Sequence, residues 1–385
     1  MPRPMSDVRL SAFYFFYFAA VGTMVPYWGL YLESAGVDAF RIGLFVTLVT
    51  SVKIVAPPLW AWASDRSAQP LRIVRWTALG AILCFLLVFF STHYLWLVVS
   101  MFGFNFFWAA QLPQIDAVAL KLLGERRHRY GRLRLWGSIG FVVAVLCSGW
   151  LVDQHGVRVI LVLLLAMYMA TLFITLGVDE PDVRAKVKNL SLPRWRPGQV
   201  TCMFWLMGFL MQASHGPFYT FFTIYINDLG YSSSVAGLLW ALGVICEVGI
   251  FFVMHHVLAR LSVPWILMLS FVIACVRWVL LGLYGESLSV LVFTQTLHAV
   301  TFGAWHAASI QFIHHHFPQH MQHRGQALHG SLCFALGTAF GGGIAGYVWQ
   351  GYGAKSAWLA AAAMAALAAG LALWLIFKRN AWQVR

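Results

Sequence analysis

Residues 22–66 read GTMVPYWGLYLESAGVDAFRIGLFVTLVTSVKIVAPPLWAWASDR, and residues 216–260 read GPFYTFFTIYINDLGYSSSVAGLLWALGVICEVGIFFVMHHVLAR. Across these two stretches Gly22, Tyr31, Gly36, Gly43, Leu44 and Arg66 recur as Gly216, Tyr225, Gly230, Gly237, Leu238 and Arg260. The offset is 194 residues each time, close to half of the 385-residue chain. A constant offset across two apolar runs and two connecting turns points to two parallel copies of one structural unit. The copies differ at one informative place. Lys53 stands ten residues after Gly43, and Glu247 stands ten residues after Gly237, so equivalent positions carry opposite charges.

The rest of the chain is as apolar as these stretches. Hydrophobic residues make up 61% and charged residues only 10%, whereas a soluble domain carries about 25% charged residues. A soluble fold of this length has nowhere to hide so much apolar surface, but a bilayer accommodates it because lipid is the solvent. A spanning helix needs roughly 20 apolar residues. The chain divides into twelve such runs: 10–32, 41–62, 73–91, 95–120, 135–152, 157–177, 200–226, 235–257, 264–284, 288–313, 327–349 and 356–377. The polar start, Met1 to Leu10, leads into the first run without a small-residue cleavage site, which reads as a retained first helix.

The longest connector, Val178 to Gly198, holds Arg184, Lys186, Lys188, Arg194 and Arg196 and lies at the middle of the chain. The expected architecture is therefore an all-α integral membrane protein of twelve transmembrane helices. Residues 1–177 and 199–385 form two pseudo-symmetric six-helix halves, and 178–198 is a cytoplasmic linker. Parallel repeats of this kind are the arrangement of the major facilitator superfamily, whose substrate site lies near the midplane between the halves.

Charge placement fixes the orientation. Of the 26 Lys and Arg, only Arg41, Arg158 and Lys355 fall in the outer loops, and Lys53 and Arg277 fall within helices. The other twenty-one lie in the termini and in loops on one side, which the positive-inside rule assigns to the cytoplasm. Both termini are then cytoplasmic. The net charge of +13 is a consequence of topology rather than a sign of nucleic-acid binding. The six cysteines all lie in apolar runs without metal-ligand spacing. His314, His315, His316, His320 and His323 read as a solvated basic loop, because neighbouring histidines on a helix point in different directions. No metal or cofactor is expected. The glycines at 337, 341, 342, 343 and 346 read as a face on which helices pack closely.

Ionisable residues at mid-bilayer cost about 2.5–3.5 kcal/mol on insertion scales, so they face a cavity or a partner. Lys53, Glu247 and Arg277 are central in their runs, His298 lies near the middle of the tenth run, and His306 lies deeper toward the cytoplasm. Asp116 is in the inner half of the fourth run. A carboxylate in low dielectric takes up and releases a proton near neutrality. An arginine stays charged and anchors an anion. Among the aromatics, Phe141 and Trp305 are the candidates to receive a ring. His215 ranks below these residues as a site candidate.

The run Tyr130-Gly131-Arg132-Leu133-Arg134-Leu135-Trp136-Gly137-Ser138 resembles the start of the fifth helix in the lactose permease family and its oligosaccharide and nucleoside relatives. It is more similar still to the bacterial 3-phenylpropionic acid transporter family. The resemblance covers nearly the whole chain. It includes Asp116 eighteen residues before Arg134, Glu247 in the eighth helix, Val276-Arg277 in the ninth, and Thr296-Leu297-His298 in the tenth. It implies that Asp116 and Arg134 hold substrate, and that Arg277, His298 and Glu247 belong to the coupling machinery. The sequence departs from lactose permease at Thr301, where that family has a coupling glutamate, and at Phe141, which replaces its sugar-stacking tryptophan. The Trp62-Ala63-Ser64-Asp65-Arg66 loop resembles the superfamily's signature loop without its glycines. There Asp65 would cap the third helix and Arg66 would serve gating.

Two function classes fit, with a third behind them. The first is proton-coupled uptake of a small aromatic carboxylate, with Lys53, Asp116, Arg134, Phe141, Arg277 and His306 binding substrate and Glu247 and His298 carrying the proton. The second is proton symport of a sugar, oligosaccharide or nucleoside. A membrane-embedded enzyme or sensor would need a nucleophile with its base, or a metal constellation, and neither pattern is present. The expected setting is the bacterial inner membrane, with the protein as a monomer.

Overall fold

The structure, a computed structural model, describes residues 4–67, 69–180 and 197–377. The described part is built of helices and short turns, with no strand among the described residues. The helices are α1 (Pro4–Ser34), α2 (Ala39–Ser67), α3 (Pro70–Leu86), α4 (Tyr94–Leu123), α5 (Tyr130–His155), α6 (Val159–Leu176), α7 (Gln199–Ser214), α8 (Gly216–Asp228), α9 (Ser233–Arg260), α10 (Val263–Tyr284), α11 (Leu288–Thr296), α12 (Trp305–His316), α13 (Gln322–His329) and α14 (Thr338–Phe377). By length and composition, nine described stretches are long and apolar enough to cross a membrane. Two of these, Tyr94–His155 and Gln322–Phe377, are far longer than one span needs. They reverse at Gly124 and Gly353, whose φ values are +53° and +79°.

Each of the twelve apolar runs falls on helix, with three local differences. The 200–226 run is broken at His215, between α7 and α8. Pro217 explains the break, since it lacks an N–H and its ring collides with the carbonyl four residues back. The other two differences are π-helical segments: Ala299–Ala304 joins α12 to the chain from α11, and Gly330–Gly337 joins α13 to α14. Such wide turns shift the register of the side chains that follow and occur often at functional sites. The central connector expected at 178–198 lies outside the described residues from 181 to 196.

The described residues form two compact units. The first holds α1, α3, α4, α5 and α6, most of α2, and Ser232–Gly237. In it α1 packs on α5 and α6, and α3 on α4 and α6. The second holds Asp38–Thr47, α7, α8, most of α9, and α10 to α14. There α14 packs on α7, α8 and α10.

The repeated residues now have a physical reason. Gly36 and Gly230 both adopt a left-handed backbone, with φ of +82° and +85°, a conformation that costs other residues about 1–2 kcal/mol. Gly22 and Gly216 are both sites of close backbone approach. A Cβ on Gly22 would lie 2.6 Å from the carbonyl oxygen of Phe141, and one on Gly216 would overlap the backbone of Gly341. Gly43 and Gly237 behave alike: a Cβ on the first would lie 2.6 Å from the Gly342 oxygen, and one on the second 2.8 Å from the Val145 oxygen. The glycine patch of the eleventh run is thus a close-packing face, as expected.

Candidate functional site

In the second unit Arg277 is completely buried on α10, where a charge needs compensation from every side. Its guanidinium lies 4.5 Å from the ring centroids of both Phe218 and Trp278, which attract a cation through their π faces. Nη1 donates to His298 Nδ1 at 3.0 Å and to Thr301 Oγ1 at 3.2 Å, and Nη2 donates to Gln295 Oε1 at 3.2 Å. Nε has no hydrogen-bond partner. Gln295, His298 and Thr301 are three residues apart, which places them on one helical face at the start of the π-helical segment.

His298 is the link between the two charged side chains. Arginine has no acceptor and stays protonated, so the His298 Nδ1 that faces it must accept. The ring proton then sits on Nε2, which points at Glu247 Oε2 from 3.7 Å. Glu247, on α9, is partly exposed, with 18% of its side chain accessible against 7% for His298. Glu247 is therefore connected to the arginine through an imidazole. His215, at the α7–α8 break, lies behind this network. Its Nδ1 takes the Met211 carbonyl at 2.8 Å, its Nε2 is unpartnered, and its ring is 6.2 Å from that of His298.

In the first unit Asp116 and Arg134 are brought together, with Nη1 and Oδ1 at 3.5 Å. Tyr14 of α1 donates to the same carboxylate oxygen at 2.7 Å. The guanidinium packs against Phe18 and Tyr14, 5.0 and 5.4 Å from their ring centroids. Both charged side chains keep about a third of their surface accessible, 28% for Asp116 and 35% for Arg134. Lys53 is exposed on α2 and makes no ion pair with a described residue.

The other expected residues are less engaged. Phe141 is half-buried, and its backbone is the part pressed against Gly22. His306 is half-buried on α12, stacked on Phe302 with centroids 6.2 Å apart. Trp305 is buried among rings, which excludes it as an open platform for a ligand. Arg66 lies over the Trp62 ring at 4.2 Å. The expectation that Asp65 caps the third helix falls on a side chain outside the described residues. Helix α2 runs on to Ser67, the N-cap position of α3 is Gln69, and the Leu71 N–H is taken by Glu180 Oε1 at 2.9 Å. Among the described residues no group of three or more His, Cys, Asp or Glu could hold a metal.

Sequence reasoning missed Tyr14, Gln295, Phe218 and Trp278. Gln295 had a legible signal in its three-residue spacing from His298 and from Thr301. Tyr14 and Phe218 had none, because helix packing alone brings them to their partners.

A family model described as the MFS_1 like family matches residues 8–360. Among curated proteins, the chain is 30% identical over 366 residues to a "Probable 3-phenylpropionic acid transporter" of Escherichia coli (strain K12), covering 91% of this chain and 93% of that one. It is 26% identical over 349 residues to a "Maltose permease" of Geobacillus stearothermophilus, covering 88% and 87%. Among solved structures, that of the nucleoside transporter NupG superposes with a TM-score of 0.84 at 16% identity, over 98% of this chain and all of the other. A bacterial homolog of the human lysosomal transporter Spinster superposes with a TM-score of 0.77 at 11% identity, over the whole of both chains.

Proposed function

We propose, from the premise that this chain belongs to the MFS_1 like family and is a multi-pass secondary transporter of the major facilitator type, that it takes up a small aromatic carboxylate together with a proton. The observation that carries this reading is the Arg277–His298–Glu247 line. A buried cation is bound by neutral partners, and the one acidic side chain on the line is reached through an imidazole. While Glu247 is ionised, it balances Arg277 through His298. Once Glu247 takes a proton, the line is left with a net positive charge and favours an anion. Low dielectric strengthens that preference.

The roles follow from accessibility. Glu247, partly exposed, receives the proton, and His298 holds the line together. Arg277 has no open face in this conformation, so it acts through its field and through His298. Lys53, an exposed residue that makes no ion pair with a described residue, is then the cation that touches the carboxylate. Asp116 and Arg134, with Tyr14, form a polar wall, while Phe141 and His306 contribute to the apolar part. The 30% identity along nearly the whole chain to the phenylpropionic acid transporter supports the substrate class. Movement by alternating access would use residues 1–177 and 199–385 as the two rocking halves. The bacterial inner membrane, cytoplasmic termini and a monomer complete the proposal.

A second reading, proton symport of a sugar, oligosaccharide or nucleoside, is favoured by one observation. Asp116 is paired with Arg134 and already accepts a hydroxyl from Tyr14, which is the chemistry a sugar hydroxyl would use.

The test is uptake of labelled 3-phenylpropionate by cells expressing the protein, with and without a protonophore, beside Glu247→Gln and Arg277→Ala. Uptake above empty-vector cells, collapse with the protonophore and loss in both variants are expected. Accumulation of labelled maltose or uridine in place of the acid would move the substrate to the second reading.

A further inference from the structure

His329, at the end of α13, is only 2% exposed, and neither of its ring nitrogens has a hydrogen-bond partner. It sits in a box of rings. Phe204 of α7 stacks on it at 5.3 Å, Trp305 lies at 5.5 Å, and Phe334 meets it edge-on at 5.6 Å. A neutral imidazole always carries one N–H donor and one acceptor. Burying both without a partner is unfavourable, because neither group regains the hydrogen bond it made to water. A phenyl ring would fill the same box without that penalty. A polar ring kept in an apolar box against this cost is a candidate for function.

Its position suggests which function. His298, Phe302 and His306 stack along one helical face, with centroid steps of 5.3 and 6.2 Å and nearly parallel planes. His306 meets Phe334 edge-on at 5.7 Å, and Phe334 is the ring that also meets His329. Imidazoles therefore continue from the Glu247–His298 pair toward the end of α12, the end that the Lys and Arg bias assigns to the cytoplasm. The π-helical segments Ala299–Ala304 and Gly330–Gly337 directly follow His298 and His329.

We propose that His329, with His306, is a proton-holding site on the cytoplasmic side of the Arg277 network, through which the proton leaves after substrate release. The proposal rests on the proton-coupled reading above. An imidazole nitrogen accepts the proton that Glu247 gives up and passes it on to water, so no other reactant is needed. Protonated, the ring is held by the π faces of Phe204 and Trp305. The titratable groups around it are His306 on α12 and Cys333 one turn along its own helix, whose sulfur lies beside Gly208 of α7. Arg324 on α13 is exposed, and His316 is separated from His329 by Phe312 and Phe204. No carboxylate pairs with His329 among the described residues.

The test compares wild type with His329→Phe, purified and reconstituted in vesicles with labelled 3-phenylpropionate. Net uptake driven by a pH gradient requires the proton to be released, whereas exchange of labelled for unlabelled substrate at equal pH does not. Net uptake is expected to fall on the order of a hundredfold, the low end of what a positioned proton-transfer group contributes, with exchange retained. Unchanged net uptake, or loss of net uptake and exchange together in a variant that unfolds at the wild-type temperature, overturns the site. If wild-type uptake is independent of the pH gradient, the proton-coupled reading itself fails and the site falls with it.

A second measurement needs no substrate. A protonated imidazole quenches a neighbouring indole, so tryptophan fluorescence in detergent should contain a pH-dependent component that disappears in both His329→Phe and Trp305→Phe. Identical titrations in all three proteins overturn the proposal.

Discussion

At the scale of single residues, His298 has two mutually exclusive states. While Arg277 donates to Nδ1, that nitrogen cannot bind a proton. A second proton on the ring turns both nitrogens into donors, and the guanidinium must then leave. Protonation of His298 and release of Arg277 are therefore one event, which in the proposed mechanism ties the proton to the availability of a positive charge for substrate. His298→Asn separates the two. The asparagine oxygen stands close to the position of Nδ1 and accepts from Arg277, but it cannot be protonated. The variant is expected to fold, to bind the acid weakly, and to show affinity that varies less between mildly acidic and neutral pH than wild type does, the remaining variation belonging to Glu247, as measured by isothermal titration of the purified protein. Affinity that strengthens on acidification as steeply as in wild type would remove His298 from the coupling machinery.

At the scale of elements, the three glycine pairs of the repeat are backbone constraints. Gly216 starts α8 against the backbone of Gly341, while Gly370 on α14 has open space around it. Gly216→Ala must push α8 from α14 and is expected to destabilise by about 1–3 kcal/mol, as overpacking does. Gly370→Ala replaces a glycine in a helix interior and is expected to stabilise by up to about 1 kcal/mol. Thermal unfolding in detergent should place the Tm of the first variant below wild type and that of the second at or above it. The π-helical segments belong to the same scale. Their wide turns set Thr301 and His298 on Arg277 together while leaving Phe302 and His306 to continue the stack.

At the scale of the whole molecule, the asymmetry of Lys and Arg across the loops predicts that both termini are cytoplasmic. A reporter that fluoresces only in the cytoplasm, fused after Arg385, is expected to be bright, while a periplasmic phosphatase fused there is expected to be inactive. The reverse result would invert the topology and move His329 to the outer side. Each unit carries a charged cluster of the candidate site: the Asp116–Arg134 pair with Tyr14 in the first, and the Arg277 network in the second. Lys53 and Glu247 occupy equivalent positions of the sequence repeat with opposite charges, so the two repeats differ chemically at that point.

The sequence by itself determined the membrane-spanning helices, their repeat and the positions of the buried charges. Hydropathy, glycine spacing and the cost of an ion in lipid are properties of local segments, and they can be read residue by residue. Asp116, Glu247, Arg277 and His298 were legible as candidates for that reason, whereas the pairing of Asp116 with Arg134 and the grouping of Glu247, His298 and Arg277 came from the family resemblance. Only the tertiary structure decided which face of Arg277 is covered. That required Phe218 from α8, Gln295 from α11 and the π turn after His298 to meet around one side chain. The same holds for Tyr14 on Asp116 and for the ring box of His329, whose members come from α7, α12 and the second π segment. A side chain's partners across helices depend on crossing angle and register, and these are fixed by packing many residues at once rather than by spacing along the chain.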